Sequence, residues 1–313
     1  MILLFTKESQ MEGFISEYKR SRVVAETSVR AILKRAIEWE NKHNKAFYDF
    51  DKEEALEMFK SAHAISVVSL QNANLTLKHA SRYFQQSIGN NVYEKIGKYD
   101  LEECVDQSKR DGLILSREDL TNIQNDLLNA TDKGILEMLF LGAGGNWLKE
   151  LTFFDMDQVS KKDGIVYFRT GKIISITEEQ YEMIKAACEE TELISFGETM
   201  RISKVISESF YKVRCNALST NSDPNNEQDA ERRFRFIQRR LYLISKDLDV
   251  KLTSGGIQSS GLLWNLKNEV TESGLTFREY VKTEDAKGLA RRYDIMSEFY
   301  SQILVDKFEK FFV

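Results

Sequence analysis

The chain is poor in the residues that punctuate, cross-link or ligate. It has one proline, Pro224, and 16 glycines in 313 residues, so little in it interrupts helix. Its three cysteines, Cys104, Cys188 and Cys215, stand apart with no pairing motif, which argues for free thiols rather than a disulfide framework. The three histidines, His43, His63 and His79, all precede residue 80, so no cysteine–histidine spacing suits zinc and no metal is expected. The run Gly142 to Gly145 lacks the lysine and helix context of a phosphate-cradling loop, so no nucleotide or other cofactor is expected either. No apolar run is long enough to span a membrane or serve as a signal peptide. A soluble cytoplasmic protein with no membrane partner is the expectation. Nor is there an excess of positive charge. With 44 Lys and Arg against 49 Asp and Glu, the formal net charge is −5 and the pI about 5.5. That weighs mildly against nucleic-acid binding, although the distribution of charge matters more than its sum.

What is present is helix-rich. Hydrophobic residues make up 42% of the chain, ample for buried cores, and the length suggests two domains. Apolar residues recur at three- and four-residue steps in four N-terminal segments: 10–19, 21–45, a helix capped by Asp51, and 64–86. The polar stretch 89–116 lacks strong periodicity apart from a short helix at 99–107. Ser116 with Asp119 forms a capping box ahead of 120–128, and 131–141 is an apolar helix ending at Gly142. Short β-branched or aromatic stretches at 151–154, 164–168 and 173–176 predict strands, with Gly171 as a hairpin turn. Thr177 caps a helix to 190. The polar stretch 219–228 reads as a loop, followed by helices at 229–246 and 257–270 and another from Thr276. Gly288 is expected to break the chain before a helix at 290–299 carrying Tyr293. The apolar end of the tail (Phe308, Phe311, Phe312, Val313) is either docked on its own domain or offered to a neighbour.

The order of these segments resembles the tyrosine recombinases of the phage-integrase family. The segment 144–151 resembles the family's first box, with Glu150 and Leu151 matching and Trp147 at the catalytic arginine position. The hairpin Tyr167-Phe168-Arg169-Thr170-Gly171-Lys172 resembles the family's lysine hairpin. In the C-terminal block, Gly255 stands at the first histidine position and Gln258 at the second arginine position. Glu284 stands near the second histidine position, and Tyr293 follows nine residues later. More narrowly, the whole resembles the MrpR-type master repressors of the lytic cycle in SP-beta-like temperate phages. The resemblance implies a mainly α fold with a small antiparallel β-sheet. It also implies a helical SAM-like core-binding domain at 1–90, a linker at 91–114 and a degenerate catalytic-like domain at 115–313. Strand transfer needs two arginines on the non-bridging phosphate oxygens and a proton donor for the leaving oxygen. Both arginine positions are replaced and no histidine lies beyond residue 80, so no enzyme activity is expected.

The resemblance further implies a clamp around double-stranded DNA. Arg30, Lys34 and Arg35 on the second helix, with Gln71, Asn72, Asn74, Lys78 and Arg82 on the fourth, are the contacts expected of the first domain. Amides there suit adenine edges, and cations suit guanine or phosphate. In the second domain the candidates are Arg169, Lys172 and Gln258. To these are added Arg232, Arg235 and Arg239 from a helix that also holds Arg233 and Arg240 and has Asp229 and Glu231 to pair with some of them. Thr253 and Ser254 lie on the rim of the old active site. Three readings stay open. The first is a sequence-specific repressor maintaining lysogeny, located at the nucleoid. The second is a divergent active recombinase using Tyr293. The third is a protein-interaction factor that does not bind DNA. Homo-oligomerisation through the tail and a protein or peptide anti-repressor are the further partners considered.

Overall fold

In a computed structural model of the protein, residues 8–21, 26–64, 67–85, 91–197, 200–214 and 225–312 are described. The chain packs as two compact units, Met1–Asp111 and Gly112–Val313.

The first unit is helical. It comprises α1 (Glu8–Ser21), α2 (Glu26–His43), α3 (Lys52–Lys60), α4 (Val67–Gln85), α5 (Lys98–Glu102) and α6 (Gln107–Asp111). Helix α3 starts where it does because Asp51 accepts from the Glu54 backbone N–H while Glu54 accepts from that of Asp51. This reciprocal cap is worth about 1 kcal/mol. The apolar stripe of α2, with Val29, Leu33 and Ala36, is fully buried against Phe47, Leu70 and Leu77. The stretch 91–114, expected to be a linker, belongs largely to this core. Val92, Tyr93, Ile96, Leu101 and Cys104 are buried in it, and the Tyr93 hydroxyl donates to the Phe47 carbonyl at 3.0 Å. The compact unit therefore extends to Asp111, beyond the boundary expected at 90. These apolar residues sit on turns and five-residue helices, too short to give a periodic signal.

The second unit is mixed. Its elements in order are α7 (Arg117–Asp126), α8 (Ala130–Phe140), α9 (Lys149–Thr152), β1 (Val159–Ser160), β2 (Ile165–Tyr167), β3 (Ile173–Ser175) and α10 (Glu178–Glu189). Then follow β4 (Glu192–Ile194), β5 (Ile202–Glu208), β6 (Tyr211–Arg214), α11 (Glu227–Asp247), α12 (Ser254–Ser273), α13 (Phe277–Tyr280), α14 (Glu284–Arg292) and α15 (Tyr300–Phe308). The strands form two three-stranded antiparallel sheets, β1-β2-β3 and β4-β5-β6. The fold is thus mainly α with small antiparallel sheets. Gly171 takes the left-handed conformation (φ +87°) that a tight hairpin turn requires. Residues 151–154, expected as a strand, are instead the end of α9 and the turn after it, buried throughout. A short apolar run buried on all sides has no period to read. The second sheet is not predicted from the sequence: the apolar residues of β5 (ISKVISE) fall at 202, 205 and 206, without the period-2 alternation of a half-buried strand. Gly288 does not break the chain. It lies inside α14, facing open space, and the helix ends at Tyr293 rather than beginning just before it.

Helix α8 is the spine of this unit. All but one of the residues from Thr131 to Phe140 are buried. Two of them are charged and fully enclosed. Asp132 is bound bidentately by Arg240, with Nε to Oδ1 at 2.6 Å. Glu137 accepts from Arg117 at 2.8 and 2.9 Å, and from Gln124 and Gln180. Burial pushes the Asp132 carboxyl up despite the Arg240 guanidinium beside it. Helix α12 crosses α8 at Gly261, where a Cβ would fall 1.7 Å from the Phe140 carbonyl oxygen. Only glycine permits that approach. The C-terminal tail docks on its own unit. Phe308 is fully buried, Phe312 stacks on Phe277 at 4.1 Å, and Lys307 donates to Ser259 at 2.7 Å.

Candidate functional site

The residues expected to contact DNA in the first unit fall into two groups. Arg30 pairs with Glu12 and with Glu26, the latter at 3.0 Å. Arg82 pairs with Glu94 at 2.9 Å, a carboxylate that also feels Lys78. The Asn74 amide donates to the Tyr93 carbonyl at 3.1 Å, so it holds the 91–96 turn rather than facing solvent. The other group is open. Lys34, Arg35 and Asn72 are exposed, and Gln71 is half-buried. No side-chain partner of Lys34, Arg35 or Asn72 is found among the described residues. Arg35 on α2 and Asn72 on α4 line one cleft of about 310 Å³, floored by Ile32, Met58, Leu70 and Leu77. Helix packing therefore brings together a guanidinium and an amide that lie far apart in sequence.

The tyrosine centre of the second unit is built around a strained turn. Trp147 and Leu148 are consecutive non-glycine residues in the left-handed region, with φ +58° and +50°. Each such residue costs on the order of 1–2 kcal/mol. The turn aims backbone N–H groups at two carboxylates. Gly144 donates to Glu150 and Gly145 to Asp294, both at 2.8 Å. Lys172, expected at a hairpin tip reaching toward a groove, points inward instead. Its ammonium lies 2.7 Å from Glu150, 2.9 Å from Asp294 and 3.0 Å from the Gly142 carbonyl. A cation with two carboxylates in reach finds a better partner inside than a distant phosphate. Thr170 completes the cluster by donating to Glu150 at 2.5 Å.

The other expected positions follow suit. The Trp147 indole packs edge-on against Phe234 at 5.4 Å. Gln258, expected to reach a backbone phosphate, donates instead to the Ala143 carbonyl at 2.8 Å. Thr253 caps α12 by accepting from the Gly256 N–H, and Ser254 hydrogen-bonds Gln238. Gly255 faces open space. Glu284 lies exposed in the first turn of α14, paired with Lys287 at 3.1 Å, and takes no part in the cluster. Tyr293 is 8% exposed. Its hydroxyl donates to the Phe140 carbonyl at 2.7 Å and accepts from Asn265 at 2.9 Å. Burial pushes its ionisation well above the ordinary tyrosine range. Sequence reasoning missed Asp294 and Asn265. Asp294 adjoins Tyr293, but nothing periodic marks either residue.

Of the five arginines on α11, Arg233 and Arg240 are buried. Arg233 donates to the Thr152 carbonyl at 3.0 Å. Arg232 pairs with Asp229, and Arg235 pairs with Glu231 at 2.6 Å, the acidic partners expected for this helix. Arg239 and, on the hairpin, Arg169 remain exposed with no partner among the described residues. No group of three metal-ligating side chains occurs among the described residues. No helix among them is long and apolar enough to cross a membrane.

A sequence model described as "MrpR, C-terminal catalytic domain" matches residues 114–310. The chain is 28% identical over 138 residues to the "SPbeta prophage-derived uncharacterized protein YopR" of Bacillus subtilis (strain 168). That match covers 42% of this chain and 41% of the relative, well under two thirds of its length. Among solved structures, a XerA recombinase aligns over 94% of this chain and 92% of its own, at 12% identity and a TM-score of 0.35.

Proposed function

We propose, from the premise that the chain belongs to the MrpR family, that it is a sequence-specific double-stranded-DNA-binding repressor that maintains a prophage and does not cut DNA. The observation that carries this reading is the state of the tyrosine centre. Its lysine is clamped by Glu150 and Asp294, and its tyrosine hydroxyl is turned onto the Phe140 carbonyl. A phosphodiester brought there meets two carboxylates, and the one guanidinium beside the tyrosine, that of Arg292, is held on the Leu141 carbonyl at 3.0 Å, whereas strand transfer needs positive charge around a pentavalent phosphate. The arginine positions hold Trp147 and Gln258, and the second unit contains no histidine. Losing one such group commonly costs about 10²–10³ in rate. Burial also opposes the phenolate that attack would require.

DNA binding is supported by the open group on the first unit. Lys34 and Arg35, exposed and without a partner among the described residues, suit phosphate or guanine, and Asn72 offers both halves of an amide to an adenine edge. The prophage origin stated for the YopR relative fits a lysogeny role. The test is a gel shift of the full chain against fragments of its own genome at two salt concentrations, with a parallel denaturing gel. A discrete fragment should shift even at the higher salt, and no adduct should survive denaturant. A covalent adduct lost on Tyr293→Phe would overturn the non-cutting reading. Failure to shift any fragment at either salt would overturn DNA binding.

A further inference from the structure

Among the clefts lined by described residues, one is set apart by its charges. The cleft with Arg35 belongs to the DNA face already described. A second, of about 400 Å³, balances Arg169 and Arg233 with Asp155 and Glu189. The third, of about 580 Å³, lies between the β4-β5-β6 sheet and α11, and every charged side chain lining it is a cation: Lys212, Arg239 and Arg240. Its walls are apolar, formed by Leu193, Phe196, Val205, Phe236 and Leu243. All of these except Val205 are only half-buried, so the groove leaves apolar surface uncovered inside a folded unit. The walls are also braced. The Arg240 guanidinium sits over the Phe196 ring at 4.7 Å, and Phe236 meets Tyr211 edge-on at 5.4 Å.

The three cations differ in how far they are compensated. Arg240 is neutralised by Asp132. Lys212 is buried with its ammonium on the Ala187 and Cys188 carbonyls and the Ser207 hydroxyl, and no ion pair to a carboxylate is found for it among the described residues. Arg239, at the exposed side, has no partner among those residues. The groove therefore offers apolar walls, an uncompensated positive charge at its mouth and a second in its wall. Its volume falls in the range of small-molecule sites, which combine such walls with a few placed polar groups.

We infer that the groove between the β4-β5-β6 sheet and α11 binds a small amphipathic anion, a carboxylate carried on an apolar body, with Arg239 meeting the carboxylate. A neutral apolar ligand would leave Arg239 unmatched, and a bare anion would leave the walls wet. Both halves of the ligand are therefore needed, and the inference stands whether or not the chain binds DNA. The test uses the full chain and three probes: octanoate, 1-octanol and acetate. Titration by calorimetry, with amide shifts mapped by NMR, should show saturable octanoate binding centred on residues 193–196, 203–205 and 236–243. Octanoate should bind at least about tenfold more tightly than either half. Arg239→Gln should remove most of that preference while leaving 1-octanol unaffected, because Arg239 is exposed and outside the core. Leu243→Trp, which fills the groove, should abolish binding of both, with folding checked by circular dichroism. Equal binding of 1-octanol and octanoate, an unaltered Arg239→Gln, or shifts centred elsewhere would each overturn the inference.

Discussion

The α2/α4 cleft of the first unit and the tyrosine centre of the second both present cations of the kind expected to meet a phosphate, yet they end in opposite states. At the cleft, Arg35 stands exposed, as does Lys34 beside it in sequence, neither with a partner among the described residues. In the centre, Lys172 is nine-tenths buried between two carboxylates. Residue type does not separate these outcomes. What separates them is whether the fold delivers a carboxylate within ion-pair distance. The same rule divides the cations within each unit. Arg30 and Arg82 are taken up by Glu12, Glu26 and Glu94, and Arg232 and Arg235 by Asp229 and Glu231. Arg35, Arg169 and Arg239 have no partner among the described residues.

The contrast can be broken most forcefully at Lys172. Lys172→Met leaves Glu150 and Asp294 facing each other, and a buried pair broken this way costs about 3–5 kcal/mol. Chemical denaturation should show that loss. An unchanged midpoint would mean the clamp is not formed. Gly261→Ala comes next. Its methyl would collide with the Phe140 carbonyl that also receives the Tyr293 hydroxyl, at a cost of about 1–3 kcal/mol of stability from overpacking.

On the open side, Arg35→Ala combined with Asn72→Ala should weaken binding to the shifted fragment by about 10- to 100-fold and leave the unfolding midpoint in place. Lys34→Ala should flatten the salt dependence by about one phosphate contact. Arg82→Ala, already paired with Glu94, should do far less to either. Tyr293→Phe should reduce stability by about 1–2 kcal/mol through two buried hydrogen-bond partners without altering DNA binding.

The last expected effect is one of pH. Burial lowers the Lys212 ammonium from 10.5 to about 8 in the folded protein. Between those values the unfolded chain holds the proton and the folded chain has lost it, so stability rises with pH across that window. Below about 8 both states are protonated and the cost of the buried charge is present in full. Denaturation measured from pH 8 to 10.5 should show the rise in the native chain and not in Lys212→Met.

Much of the fold is legible from local chemistry. The caps at Asp51, Ser116 and Thr177 and the hairpin at Gly171 are where the sequence places them, because each depends on residues within a few positions of one another. The stretch 91–105 was not legible as core, nor 151–154 as a helix end and turn, because short apolar segments carry no period until a neighbour buries them. The candidate site was legible in part. Trp147 and Gln258, at the positions where the resemblance implies arginine, and the lack of histidine beyond residue 80 stand in the sequence itself. Which cations remain free does not, since Lys172 meets Asp294 across 122 positions and Arg240 meets Asp132 across 108.

The sequence by itself determined most of the helical segments, the confinement of histidine to the first 80 residues, and the two-part organisation, since each follows from residue identity and near-neighbour spacing. Only the tertiary structure decided that Lys172 is clamped, that Tyr293 faces the core, and that Arg35 and Asn72 share one cleft. Charge pairing and burial act over ångströms in space, and the chain brings distant residues to those distances only when it packs.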